Sequence, residues 1–95
     1  EITIAQPTVR VFPNPAQGSA TLSYALPQAG RAQLRIYAPD GSLVRTLVDG
    51  RQPAGRYALR WDGRDNGGRP AAAGMYFYQL DAGEASPSGR LILTR

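Results

Sequence analysis

The stretch Trp61-Asp62-Gly63-Arg64-Asp65-Asn66-Gly67-Gly68-Arg69-Pro70-Ala71-Ala72-Ala73-Gly74-Met75-Tyr76-Phe77-Tyr78-Gln79-Leu80 decides the fold. An alternating run, Arg56 to Trp61, enters it and ends at Asp62. A block of turn formers follows, and a second alternating run starts at Met75. Alternation, turn chemistry and alternation again specify two β-strands joined by a long loop. Tyr57, Trp61, Tyr76, Phe77 and Tyr78 gather most of the aromatic rings in this neighbourhood. Large apolar side chains contribute most to burial, so the core should form around them.

Outward from this stretch the same pattern recurs. Thr8 to Phe12 alternates and is stopped by Pro13-Asn14-Pro15, since proline cannot donate to a ladder and restrains the residue before it. Ser19 to Leu26 is a second strand, with Leu22, Tyr24 and Leu26 on one face. Arg31 to Ala38 is the clearest strand: Ala32, Leu34 and Ile36 face in, while Arg31, Gln33 and Arg35 face out. Pro39-Asp40-Gly41 is a strong turn signal. Ser42 to Val48 and Arg56 to Trp61 are the fourth and fifth strands. Met75 to Asp81 is the sixth, Gly83 to Gly89 a polar turn, and Arg90 to Thr94 the last. No segment holds a helical apolar period. Seven short strands broken by glycine or proline predict an all-β sandwich of two antiparallel sheets. Its expected core is Trp61, Tyr57, Leu59, Leu34, Ile36, Tyr24 and Leu22.

Ninety-five residues make one domain. Residues 1–8 are expected to be a linker or lead-in to a domain over 9–95, the whole being a piece of a longer protein. With no run of about twenty apolar residues, nothing in the sequence reads as a membrane-spanning segment. There is no cysteine and no histidine, so thiolate chemistry, imidazole bases and the usual transition-metal ligands are excluded. All eleven basic residues are arginine, and the formal charge of +4 favours anionic surfaces.

Asp62 to Gly68 invites a calcium interpretation. A helix-loop-helix calcium loop needs oxygen ligands at its first, third and fifth positions and a glutamate at its twelfth. Arg64 stands third and Ala73 twelfth. Asp62, Gly63, Asp65 and Gly68 are therefore expected to shape the loop, the carboxylates bonding nearby N–H groups and Arg64 or Arg69. Asp62 and Asp65, three apart in one turn, make no glycosidase pair. Ser86 and Ser88 have no histidine to activate them. No catalytic residue, metal or cofactor is predicted.

Two surface readings remain. Exposed rings could stack on sugars, which would make the chain a carbohydrate-binding or spacer module beside a secreted glycoside hydrolase. The parity of its strand puts Trp61 in the core instead, and Tyr76 falls where sandwich folds place a tyrosine corner. Arg31, Arg35, Arg56 and Arg60 face outward and would form a basic stripe if their strands were neighbours. The stripe lacks the aromatic interleaving of single-strand binders, so no nucleic acid is expected.

Several of these segments together resemble one family. They are Val11-Phe12-Pro13-Asn14-Pro15, Ala38-Pro39-Asp40-Gly41, Gly55-Arg56-Tyr57, Trp61-Asp62-Gly63-Arg64-Asp65 and Ala73-Gly74-Met75-Tyr76-Phe77-Tyr78. The chain resembles the Ig-like domain of the flagellar hook-capping protein and its relatives, the C-terminal sorting domains of type IX secretion cargo. The resemblance implies an immunoglobulin-like antiparallel β-sandwich of about seven strands. It also implies a non-catalytic module of a larger exported protein that mediates sorting and cell-surface attachment. Implied partners are the secretion translocon, outer-membrane surface components and an anionic lipopolysaccharide, with the module itself a monomer. The positions that match the sorting pattern are Pro13, Asn14 and Pro15, then Gly74 and Tyr76, then Arg90, Leu91, Ile92, Leu93 and Arg95. Sorting domains carry lysine near the last strand, where this chain has Arg90 and Arg95.

Overall fold

Alternating apolar residues become strands because a pleated chain sends successive side chains to opposite faces, one of which can be buried. In the computed structural model, which describes residues 5–95, the strands are β1 (Thr8–Phe12), β2 (Ala16–Gln17), β3 (Ala20–Leu26), β4 (Gly30–Tyr37), β5 (Leu43–Gln52), β6 (Gly55–Trp61), β7 (Gly74–Ala82) and β8 (Ser88–Thr94). They form a three-stranded sheet, β1-β3-β6, and a five-stranded sheet, β2-β8-β7-β4-β5. The expected lead-in over residues 1–8 lies partly outside the described residues, and Thr8 already pairs with Ala25.

The sandwich has eight strands among the described residues rather than seven. The extra one is β2, two residues long and parallel to β8, with Ala16 beside Leu93 and Gln17 beside Thr94. So short a segment carries no period, and its neighbouring prolines make it look like pure turn. β5 also runs on through Asp49-Gly50, which reads as a connection, and Ser88 and Gly89 belong to β8 rather than to the turn before it. Gly89 opposes Tyr78 across the ladder. A Cβ there would stand 2.5 Å from the Tyr78 ring carbon Cζ, so the ring packs where a side chain would be.

Between the sheets lie Leu22, Tyr24, Leu26, Leu34, Ile36, Trp61, Leu80, Leu91 and Leu93, all essentially sealed from solvent. Each such side chain contributes roughly 1.5–3 kcal/mol through burial. Trp61 meets Tyr76 edge-on at 5.8 Å between ring centroids, and Tyr24 stacks on Tyr57 at 5.1 Å. Tyr57 and Leu59, expected in the core, are only half-buried against it. The reason is topological: β6 is an edge strand, so its inward side chains have a neighbour on one side only.

Two strands begin in the same way. Gly55 and Gly74 open β6 and β7 with φ of +147° and +150°, a region that favours glycine. Two residues later Tyr57 and Tyr76 fold back. Tyr57 Oη donates to Pro53 O and Tyr76 Oη to Ala72 O, each at 2.5 Å and each four residues upstream. Every Gly-x-Tyr thus closes its own corner, one in each sheet.

Candidate functional site

The residues singled out by the sorting pattern meet along β8. Pro13 and Pro15 have no N–H, so this segment cannot extend a ladder through its own backbone. Asn14 supplies the missing groups from its side chain. Its Nδ2 donates to Arg90 O at 2.9 Å, and Ile92 N donates to its Oδ1 at 3.0 Å. One carboxamide thereby stands in for one residue of a neighbouring strand. β2 continues the cover: Gly18 N donates to Thr94 O at 2.8 Å, and Thr94 Oγ1 donates to Ala16 O at 3.2 Å.

Along β8 the alternation divides the predicted residues. Leu91 and Leu93 point inward and are buried, whereas Arg90 and Ile92 are exposed, Ile92 at 37%. Gly74 pairs with Leu93, and Tyr76 with Leu91. Tyr76 is buried and held by its own corner bond. Exposed here are the side chains of Pro13, Pro15, Arg90, Ile92 and, on the adjoining strand, Met75.

Arg95 ties the end of the chain to the long loop. Its Nη2 donates to Gly63 O at 3.0 Å and to Ala71 O. Gly63 sits at φ +74°, and a Cβ on it would lie 2.4 Å from Gly18 O. Glycine is required there by both backbone geometry and close approach.

Within the loop, Asp62 Oδ1 accepts from Arg64 N at 3.1 Å, and Asp65 Oδ1 accepts from Gly67 N and Arg69 N, each at 2.9 Å. The guanidinium that reaches Asp62 is neither Arg64 nor Arg69. It is Arg45 of β5, at 3.2 Å. Arg64 instead donates to Gly68 O at 2.9 Å, and Trp61 Nε1 donates to Arg64 O at 2.9 Å. Among the described residues, no three acidic side chains converge as a metal site would require.

Asn66 is a functional-looking residue that sequence reasoning overlooked. Its N donates to Val44 O at 2.9 Å, and Thr46 N donates to its Oδ1 at 3.0 Å. It engages two alternate residues of the β5 edge, just as Asn14 engages two of β8. An asparagine held among turn residues is the only sequence signal the two share.

The condition for a continuous basic stripe is not met. Arg31 and Arg35 belong to β4 and Arg56 and Arg60 to β6, in different sheets. Arg31 pairs instead with Asp49 of β5 at 2.6 Å. Hydrogen bonding from Gln33, with Arg31 and Arg35 nearby, holds the Asp49 carboxyl below its ordinary range. Asp81 is likewise lowered, by bonds from Ser86 and Gln79 and by the charge of Arg35. The rings offer little to a sugar: Trp61 is fully buried, and Phe12 is the exposed aromatic, at 48%.

The model of the FlgD Ig-like domain family matches residues 11–86. No curated protein sequence matches. Solved structures similar in fold include the following three. Dimeric latent PorU from Porphyromonas gingivalis superposes with a TM-score of 0.74 at 22% identity, covering 96% of this chain and 10% of that one. PorZ of the same organism gives 0.64 at 24%, covering 92% and 11%. FlgD from P. aeruginosa gives 0.55 at 24%, covering 74% and 56%. The chain thus spans about a tenth of PorU and PorZ, and at these identities the likeness is one of fold.

Proposed function

The chain belongs to the FlgD Ig-like domain family, and from that premise we propose that it is a non-catalytic module of a larger exported bacterial protein, mediating type IX secretion sorting and cell-surface attachment. The observation that carries this reading is the convergence on β8. Pro13-Asn14-Pro15, Arg90 and Ile92 present one continuous edge, fastened by Asn14 and by Arg95. A recognition element needs such a rigid, exposed edge; a catalytic one needs free acids or bases. Here the loop acids Asp62 and Asp65 are engaged by main-chain N–H groups, and histidine and cysteine are lacking from the sequence. Further support comes from PorZ, an essential bacterial surface component of the type IX secretion system, which contains a domain of this fold. The partners are the translocon and outer-membrane surface components, including an anionic lipopolysaccharide that the arginine-rich surface would attract.

The test is to fuse the 95-residue chain behind a periplasmically exported reporter in a host with a working type IX system. The reporter is expected on the cell surface or in the medium, and an Arg90→Glu, Ile92→Glu chain is expected to lose that delivery while remaining folded. Retention of the unaltered fusion in the periplasm would refute the proposal.

A further inference from the structure

We propose that the open edge of β6 accepts an extended acidic segment of a partner protein as a fourth strand of the smaller sheet. This docking site is separate from the β8 edge and does not depend on the sorting role.

The sheet edges are not treated alike. In the larger sheet, Asn14 and β2 occupy the β8 edge, and Asn66 occupies the β5 edge at Val44 and Thr46. β6 bonds β3 on one side through seven residues in unbroken register. Among the described residues, no main-chain hydrogen bond reaches its other side. Neither a proline nor a bulge lies within it. A regular unblocked edge is a template for another strand.

The flank beside β6 is also incompletely covered. The smaller sheet has three strands against five, and β1 lies against β7 and β8, which places β6 on the β4–β5 side. Tyr57 and Leu59 on β6 and Val44, Leu47 and Val48 on β5 stay half-buried there, whereas Ala32, Leu34 and Ile36 of β4 are fully buried. A strand added to β6 would lay its inward side chains over this apolar margin.

Charge selects the occupant. On β6, Arg56 and Arg60 face outward, and on β1 so does Arg10. β1, β3 and β6 contain no Asp or Glu. A second copy added through its own β6 would set arginines against arginines, which cross-strand pairing disfavours. An incoming strand with carboxylates four residues apart and apolar residues at the positions between would meet Arg56 and Arg60 on one face and the margin on the other.

The experiment uses the full chain and three probes: a heptapeptide alternating Glu and Val, one alternating Lys and Val, and dextran sulfate. Amide hydrogen exchange is followed by NMR. The Glu–Val peptide is expected to slow exchange within residues 55–61 and to leave 8–12 and 43–52 unchanged. Its affinity should fall with added salt. An Arg56→Glu, Arg60→Glu chain should bind the Glu–Val peptide roughly tenfold less tightly and gain affinity for the Lys–Val peptide. That gain can be seen only if the altered chain folds. Protection appearing on β1 or β5 instead, dextran sulfate protecting the same amides equally, or no binding at millimolar peptide would each overturn the proposal.

Discussion

Asn14 makes two main-chain bonds with one side chain, and chemistry separates its two halves. Replacing it by alanine frees Arg90 O and Ile92 N at a solvent-accessible edge, where each bond is worth little. The expected loss is about 1 kcal/mol in urea unfolding. Asn14→Asp keeps the acceptor for Ile92 N but lacks the donor for Arg90 O, so its stability should fall between the other two. An alanine variant as stable as the parent would mean that the prolines alone position the segment. Gly63 is a sharper case. Alanine there meets Gly18 O at 2.4 Å from a positive-φ backbone, and neither atom belongs to a side chain that could swing aside. A loss of at least ~2 kcal/mol is expected. Arg95 should also loosen, since it bonds Gly63 O, and heteronuclear NMR relaxation at residues 93–95 would show it.

The two Gly-x-Tyr corners form an internal comparison between strands. β7 lies inside the larger sheet and Tyr76 is buried, whereas β6 is an edge and Tyr57 is half-buried. The same Tyr→Phe change deletes the same kind of bond in both. At Tyr76 the cost is expected to be about 1 kcal/mol, and at Tyr57 clearly less, because water can replace the lost partner. Thermal unfolding of the two variants side by side checks the order; equal losses would show that burial does not set the strength of the corner. The motif itself can be read from the sequence as Gly55-Arg56-Tyr57 and Gly74-Met75-Tyr76. Its use at both strand starts is decided by the positive φ of each glycine, which turns the chain so that the phenol meets the carbonyl four residues back.

Over the entire domain, acid should be the condition that finds its charges. Asp40, Asp49 and Asp81 all titrate below the ordinary carboxylate range, Asp40 because Ser42 donates to it through both its hydroxyl and its N–H. A carboxyl with a lowered folded-state value holds its proton less tightly folded than unfolded. Its stabilisation is therefore complete above the ordinary value, about 3.9 for aspartate, and disappears as pH falls through the lower folded-state value. With no histidine or cysteine in the sequence, urea midpoints should stay level from pH 7 to pH 5 and then drop below about pH 4. Asp81→Asn should flatten that drop, and an unchanged acid limb would remove Asp81 from the account. The sequence by itself determined which side chains lie inside: Leu22, Tyr24, Leu34, Ile36 and Trp61 were legible because burial on a strand follows a period of two, a local property. Turns at Pro39-Asp40-Gly41 and after Trp61 were legible for the same reason. Only the tertiary structure decided that β4 and β6 lie in different sheets, that Arg45 rather than Arg64 or Arg69 reaches Asp62, and that an asparagine side chain bonds each edge of the larger sheet while, among the described residues, no main-chain bond reaches the free side of β6. Those outcomes depend on which distant segments pair, and pairing is fixed by how the two sheets close over one shared core, which no local pattern encodes.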